Sequence, residues 1–139
     1  VGVAVKDPET AAETRPHPKT GRPETREQRE QRLLADTTRI DMRQVAAMIG
    51  LSYQRVRVRN FARKRWQDTV DTGLLLPRKG YDEQEREATP EEVAEARNGL
   101  RTALPTPVDR HGQTDVWEVR QIARWANQMK MVDEWYEPV

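Results

Sequence analysis

The chain has 139 residues, 35% apolar and 34% charged, with a net charge of +1. That length suits one ordinary domain with a small core. It holds no run of about 18 apolar residues to span a membrane, and its lack of cysteine excludes disulfides, thiolate catalysis and thiolate metal sites. This composition fits a reducing cytoplasm, and the opening "VGVAV" is too short and lacks the basic flank of a signal peptide. The near-neutral total hides a pattern. Residues 42–65 hold seven basic residues and no acidic one, whereas 66–103 hold five basic and nine acidic, and 104–139 four and six. One concentrated basic block on an otherwise acidic chain points to a local anionic partner.

Residues 1–23 are poor in large apolar groups and rich in Pro, Thr and charge, which predicts a disordered arm ahead of a domain over 24–139. Within it Gly21-Arg22-Pro23 forms the centre of a short minor-groove hook, although Thr20 stands where that motif carries Arg. A flexible Pro-rich linker is the simpler reading. His17 and His111 are the only histidines, and nothing near them has metal-ligand spacing, so no metal or other cofactor is expected.

The run "ETREQREQRLLAD" predicts a short helix whose charges face solvent, with Leu33 and Leu34 as its only anchors. In "DMRQVAAMIG", Asp41 is a plausible N-cap, Val45, Ala46 and Ile49 make one apolar face, and Gly50 is a stop signal. Ser52 then caps a second helix. The Val–Arg alternation over Arg55–Arg59 has a strand's period, but it is short and follows a helix, a glycine and a cap.

Further on, "TG" and "PRKG" mark turns, and "LLLP" is too short to assign. The Glu-rich stretch 82–95 reads as a solvated helix start, or as a surface that mimics DNA or holds a basic partner. Thr89, Pro90 and Glu92 have the spacing of a capping box, so a helix starts there and ends near Gly99 or Ala103. "VDRHGQTDVW" predicts a hairpin turning at Gly112. Ile122, Trp125, Met129, Val132 and Tyr136 then recur at steps of three and four, which predicts an amphipathic C-terminal helix over about 116–136, ended by Pro138. Trp117 and Trp125 are assigned to the core. Met129, Val132, Trp135 and Tyr136 carry the stripe past that core, which suggests a homodimer contact.

"RQVAAMIGLSYQRVRVR" resembles the helix-turn-helix of MerR-like winged helices, the group that includes phage excisionases. Ala46, Gly50, Ser52 and Val56 fit its places. "LPTPVDRHGQTDVWEVRQIARWA" resembles the same family's wing and closing helix, through Leu104, Pro105, Trp117, Ile122, Trp125 and Ala126. The resemblance covers roughly 40–66 and 104–127. It implies a mainly α fold, a winged helix-turn-helix with a two-stranded β-hairpin wing and a C-terminal helix. The chain departs from the family in the long insertion over about 67–103, and in Arg59, where the family usually has an apolar residue.

A helix fits the DNA major groove with its N-terminal residues on base edges. By position after the cap these are Ser52, Tyr53, Gln54 and Arg57, with Gln suited to adenine and Arg to guanine. Arg43, Arg55, Arg59, Arg63, Lys64 and Arg65 are assigned to phosphates, and Arg110, His111 and Gln113 form the wing tip. The expected partner is double-stranded DNA, with no membrane and no small-molecule substrate, and no catalytic constellation stands out. The expected role is transcriptional regulation in a phage or mobile element. The alternatives are an excisionase-like DNA-bending factor, a DNA-packaging or assembly subunit built into a ring by its C-terminal helix, and an adaptor whose basic helix docks an acidic protein.

Overall fold

Local capping chemistry fixes where the helices start. The computed structural model describes residues 13–75 and 84–139. Helix α1, Arg26–Leu34, begins at Thr25, and α2, Met42–Ile49, begins at Asp41. Both form reciprocal boxes in which a Gln three residues on returns a bond to the cap's backbone N–H. Helix α4, Pro90–Leu100, does the same with Thr89 and Glu92, as the sequence predicts. Helix α5, Val119–Gln128, has its first N–H groups satisfied from elsewhere. Val119 N donates to Thr38 O and Arg120 N to Asp36 O.

Helix α3, Tyr53–Thr72, is capped by Ser52 and closed by Gly73 at φ +71. It runs seven residues past the basic stretch, because no breaker intervenes before Gly73. The segment expected as an insertion therefore begins as this helix, and α4 packs back onto it. Gly99 lies so close to Trp66 that a Cβ there would fall 2.7 Å from the ring. A short pair, β4 (Leu74–Leu75) with β5 (Arg86–Glu87), links the two helices. The expected turn at Pro77–Gly80, and the first residues of the acidic stretch, lie outside the described residues.

The described residues are mixed α/β rather than mainly α, because three small antiparallel sheets accompany the helices. Strands β6 (Asp109–His111) and β7 (Thr114–Glu118) form the predicted hairpin, with Gly112 at φ +66 in its turn. β7 also pairs with β3 (Arg39–Ile40), making a three-stranded sheet. The core lies between this sheet, α2, α5 and the first turns of α3. Val45, Val56, Trp117 and Ile122 are wholly buried, with Ile40, Ile49, Leu104, Trp125 and Ala126 around them. Each such large side chain contributes on the order of 1.5–3 kcal/mol of apolar burial. Trp117 also donates from Nε1 to Pro105 O at 2.7 Å, which anchors the Leu104-Pro105 entry to the hairpin.

Both ends differ from expectation. Residues 14–25, assigned to a disordered arm and the domain start, form a hairpin of β1 (Thr14–Pro16) and β2 (Pro23–Thr25). Gly21-Arg22-Pro23 lies in and beside its turn, with Gly21 at φ +70 and Gly21 N donating to His17 O, so it is neither linker nor extended hook. Residues 1–12 of that arm lie outside the described residues. At the other end, α5 stops at Gln128, not near 136. Lys130 takes φ 56, Met131 N donates back to Ala126 O, and Val132 bridges to Pro138. Asp133 closes this loop by accepting from the backbone of Trp135 and Glu137.

The loop buries the residues assigned to a dimer stripe inside their own chain. Trp135 is 1% and Val132 7% exposed, and Met129 and Tyr136 pack partly against the core. A periodicity of three and four fits a returning loop as well as a helix, and here the loop wins because Trp135 finds a better cover. Arg15 and Arg29 lie over its ring at 4.6 and 5.3 Å. Arg29, predicted to face solvent, is 5% exposed. Its guanidinium donates to Glu24 (2.7 Å), Glu137 (3.0 Å) and Pro16 O (3.0 Å), tying the first hairpin, α1 and the C-terminal loop together. Glu24 also takes Arg32 at 2.8 Å. Those bonds from Arg32 and Arg29 hold its carboxyl down at about 2 against the opposing effect of burial.

Candidate nucleic-acid interface

Gly50 sets the angle between α2 and α3. It takes φ +70, a conformation costly for any side chain with a Cβ. Pro138 fills the space beside it, where a Cβ would come within 2.6 Å. Two residues later Ser52 Oγ accepts from Arg55 N at 3.2 Å and starts α3. Val56, Asn60 and Arg63 recur on the face of α3 that is buried. The N-terminal end of the helix and, over its first half, the opposite face with Gln54, Val58 and Phe61 are left in solvent.

The residues assigned to base reading stand together there. Ser52, Tyr53, Gln54 and Arg57 are all exposed. Arg43, from α2, places its guanidinium over the Tyr53 ring at 4.7 Å, which orients the ring and adds a cation beside it. Gln113, from the hairpin turn, lines one groove of ≈ 380 Å³ with Gln54, Arg57 and Lys64. It lines a second with Arg43, Tyr53 and Arg57. Sequence reasoning put Gln113 and Arg57 in separate elements, and the fold brings them to one groove. Arg110 and His111 are exposed on the hairpin, where Asp109 accepts from His111 Nε2 (3.1 Å) and from Arg39 (2.6 Å).

The residues assigned to phosphate split into two sets. Arg55 and Arg59 are exposed, Arg43 is engaged with Tyr53, and Arg65 is half-buried. Arg63 is not a surface clamp. It is 6% exposed and donates from Nε and Nη2 to Asn60 Oδ1 at 3.2 and 3.1 Å. Burial pulls its guanidinium below its ordinary range, opposed by the charges of Asp115 and Asp68. Asn60 Nδ2 in turn donates to Asp115 Oδ2 at 2.8 Å, and Lys64 Nζ reaches the same oxygen at 2.8 Å. Burial would raise the Asp115 carboxyl, but Lys64 and Asn60 outweigh it and hold it below the usual carboxylate range.

Asn60 and Asp115 are the positioning residues that the sequence reading missed. The chain Arg63–Asn60–Asp115–Lys64 bonds α3 to strand β7, and so holds the hairpin turn beside Arg57. A signal for half of it existed. Asn60 and Arg63 follow Val56 by four and seven positions, which puts all three on one helix face. Nothing in the local sequence pointed to Asp115.

Among the described residues no three His, Asp or Glu side chains stand close enough to hold a metal ion, and no helix is long and apolar enough to cross a membrane. No protein-family model, no curated protein and no solved structure matches the chain.

Proposed function

We propose that this chain is a winged helix-turn-helix protein that binds double-stranded DNA sequence-specifically, as a regulator of transcription. In this reading α2, the Gly50 corner and α3 are the helix-turn-helix, and β6–β7 is the wing. The observation that carries it is the exposed, Ser52-capped end of α3, with Gln54 and Arg57 in one groove with Gln113. That end lies in a stretch from 42 to 65 without one acidic residue. The Gln54 amide can donate to and accept from an adenine edge, and the Arg57 guanidinium can donate twice to a guanine edge. Arg55 and Arg59 lie on the same helix and supply charge for the flanking phosphates.

Titration of labelled duplexes at two salt concentrations tests this. Gln54→Ala with Arg57→Ala should cost roughly 1–3 kcal/mol of discrimination per lost bidentate contact. Arg55→Ala with Arg59→Ala should weaken all sequences alike and flatten the salt slope by about one per charge removed. Equal behaviour of the two pairs would refute the division of roles. Absence of salt-dependent binding to any duplex would refute the function. A footprint of one palindrome fits a regulator, whereas clustered direct repeats fit the excisionase-like alternative.

A further inference from the structure

The outer ridge of α3 is not uniformly polar. Val58 and Phe61 are 58% and 59% exposed, among the largest exposures of large apolar side chains among the described residues. They follow Gln54 by four and seven positions, so the three side chains form one line along the helix. Phe61 and Val58 also line the groove that holds Gln54, Arg57, Lys64 and Gln113. They border cations and amides on that side and a second groove with Ala62, Trp66 and Leu75 on the other, and their exposed surface carries a hydration cost that a matching apolar surface would relieve.

The major groove offers one such surface, the C5-methyl of thymine. At 1.5 Å per residue, Val58 and Phe61 sit about 6 and 10 Å along the helix from Gln54, roughly two and three base-pair steps. We infer, resting on the DNA-binding reading above, that Val58 and Phe61 are specificity-determining residues that pack on thymine methyls. The preferred site then carries A·T pairs roughly two and three steps from the adenine that Gln54 reads. A second copy of the chain is a poorer occupant of this patch. A self-complementary contact would set the exposed Arg55, Arg57 and Arg59 against their own copies, at a cost in like-charge repulsion.

The test takes the best duplex from a selection on randomised DNA and compares it with the same duplex carrying deoxyuridine for thymidine, which removes only the methyls. The wild-type protein should bind the uracil duplex about fourfold more weakly per contacted thymine, the weight of one buried methyl group. The Val58→Ala/Phe61→Ala variant should bind both duplexes alike. Both sites are exposed, and a melting curve on the variant separates lost contact from lost fold. If the wild type binds both duplexes equally, the inference fails while DNA binding stands. If the variant changes sedimentation and not the thymine–uracil ratio, the patch is a contact between copies and the inference fails. Absence of binding to any duplex overturns this inference together with the function it rests on.

Discussion

Replacing Asp115 by Ala tests how the hairpin is held to α3. The carboxylate is 5% exposed and accepts from Asn60 and Lys64, each at 2.8 Å. Its loss leaves the Asn60 amide with only the Met42 thioether at 3.7 Å, and leaves the 6%-exposed Arg63 guanidinium with Asp68 as its remaining counter-charge. Removing one partner of a buried ionic group costs about 3–5 kcal/mol. For a chain of this size that lowers the melting temperature by roughly 10–20 °C. Lys64→Ala removes the opposite charge from the same oxygen, but Lys64 is 40% exposed, so its loss costs only about 0.2–1 kcal/mol. Combining Asp115→Ala with Arg63→Met removes both buried charges and should recover most of the loss. Thermal unfolding followed by circular dichroism reads all three variants. Equal losses from Asp115→Ala and Lys64→Ala, or no recovery in the double variant, would show that burial of Arg63 is not what the carboxylate offsets.

Glu24 makes stability depend on acid. Its folded pKa of about 2 lies below the ordinary 4.5, so the unfolded chain binds a proton first and the folded state is favoured at higher pH. The contribution, about 3 kcal/mol at 1.36 kcal/mol per pKa unit, is present above pH 4.5 and is lost as pH falls towards 2. Urea midpoints between pH 7 and 2.5 should fall steeply for the wild type and far less for Glu24→Gln, and a parallel fall in both would reject the assignment. Gly99→Ala offers a packing test. Alanine is the better helix former by about 1 kcal/mol, yet its Cβ would lie 2.7 Å from Trp66. Overpacking of about 1–3 kcal/mol should win and lower the melting temperature, and Trp66→Leu should reverse the sign. A rise from Gly99→Ala alone would mean that α3 and α4 do not meet there.

Features whose causes lie within a few residues are legible in the amino-acid order. Asp41, Ser52 and the Thr89–Glu92 box each satisfy backbone donors one helical turn away, so the caps are legible in a short window. Gly50 and Gly112 are turn residues on the same local ground, and the apolar spacing sets Val45, Ala46 and Ile49 on one face and Ile122 and Trp125 on another, all of them buried. Which charges are buried, and which apolar residues are not, depends on contacts between distant segments. Arg29 looks like its solvated neighbours until Glu137, 108 residues away, meets it. The spacing of Arg63 puts it on the face of Val56, but its burial is settled only where Asn60 and Asp115, 55 positions apart, close over it. Val132 and Trp135 keep a helical spacing yet lie in a loop, because the cover for Trp135 comes from the other end of the chain. A cap spends its energy on its own turn. A buried ion is stable only where distant partners arrive to replace its water, and no local pattern carries that information.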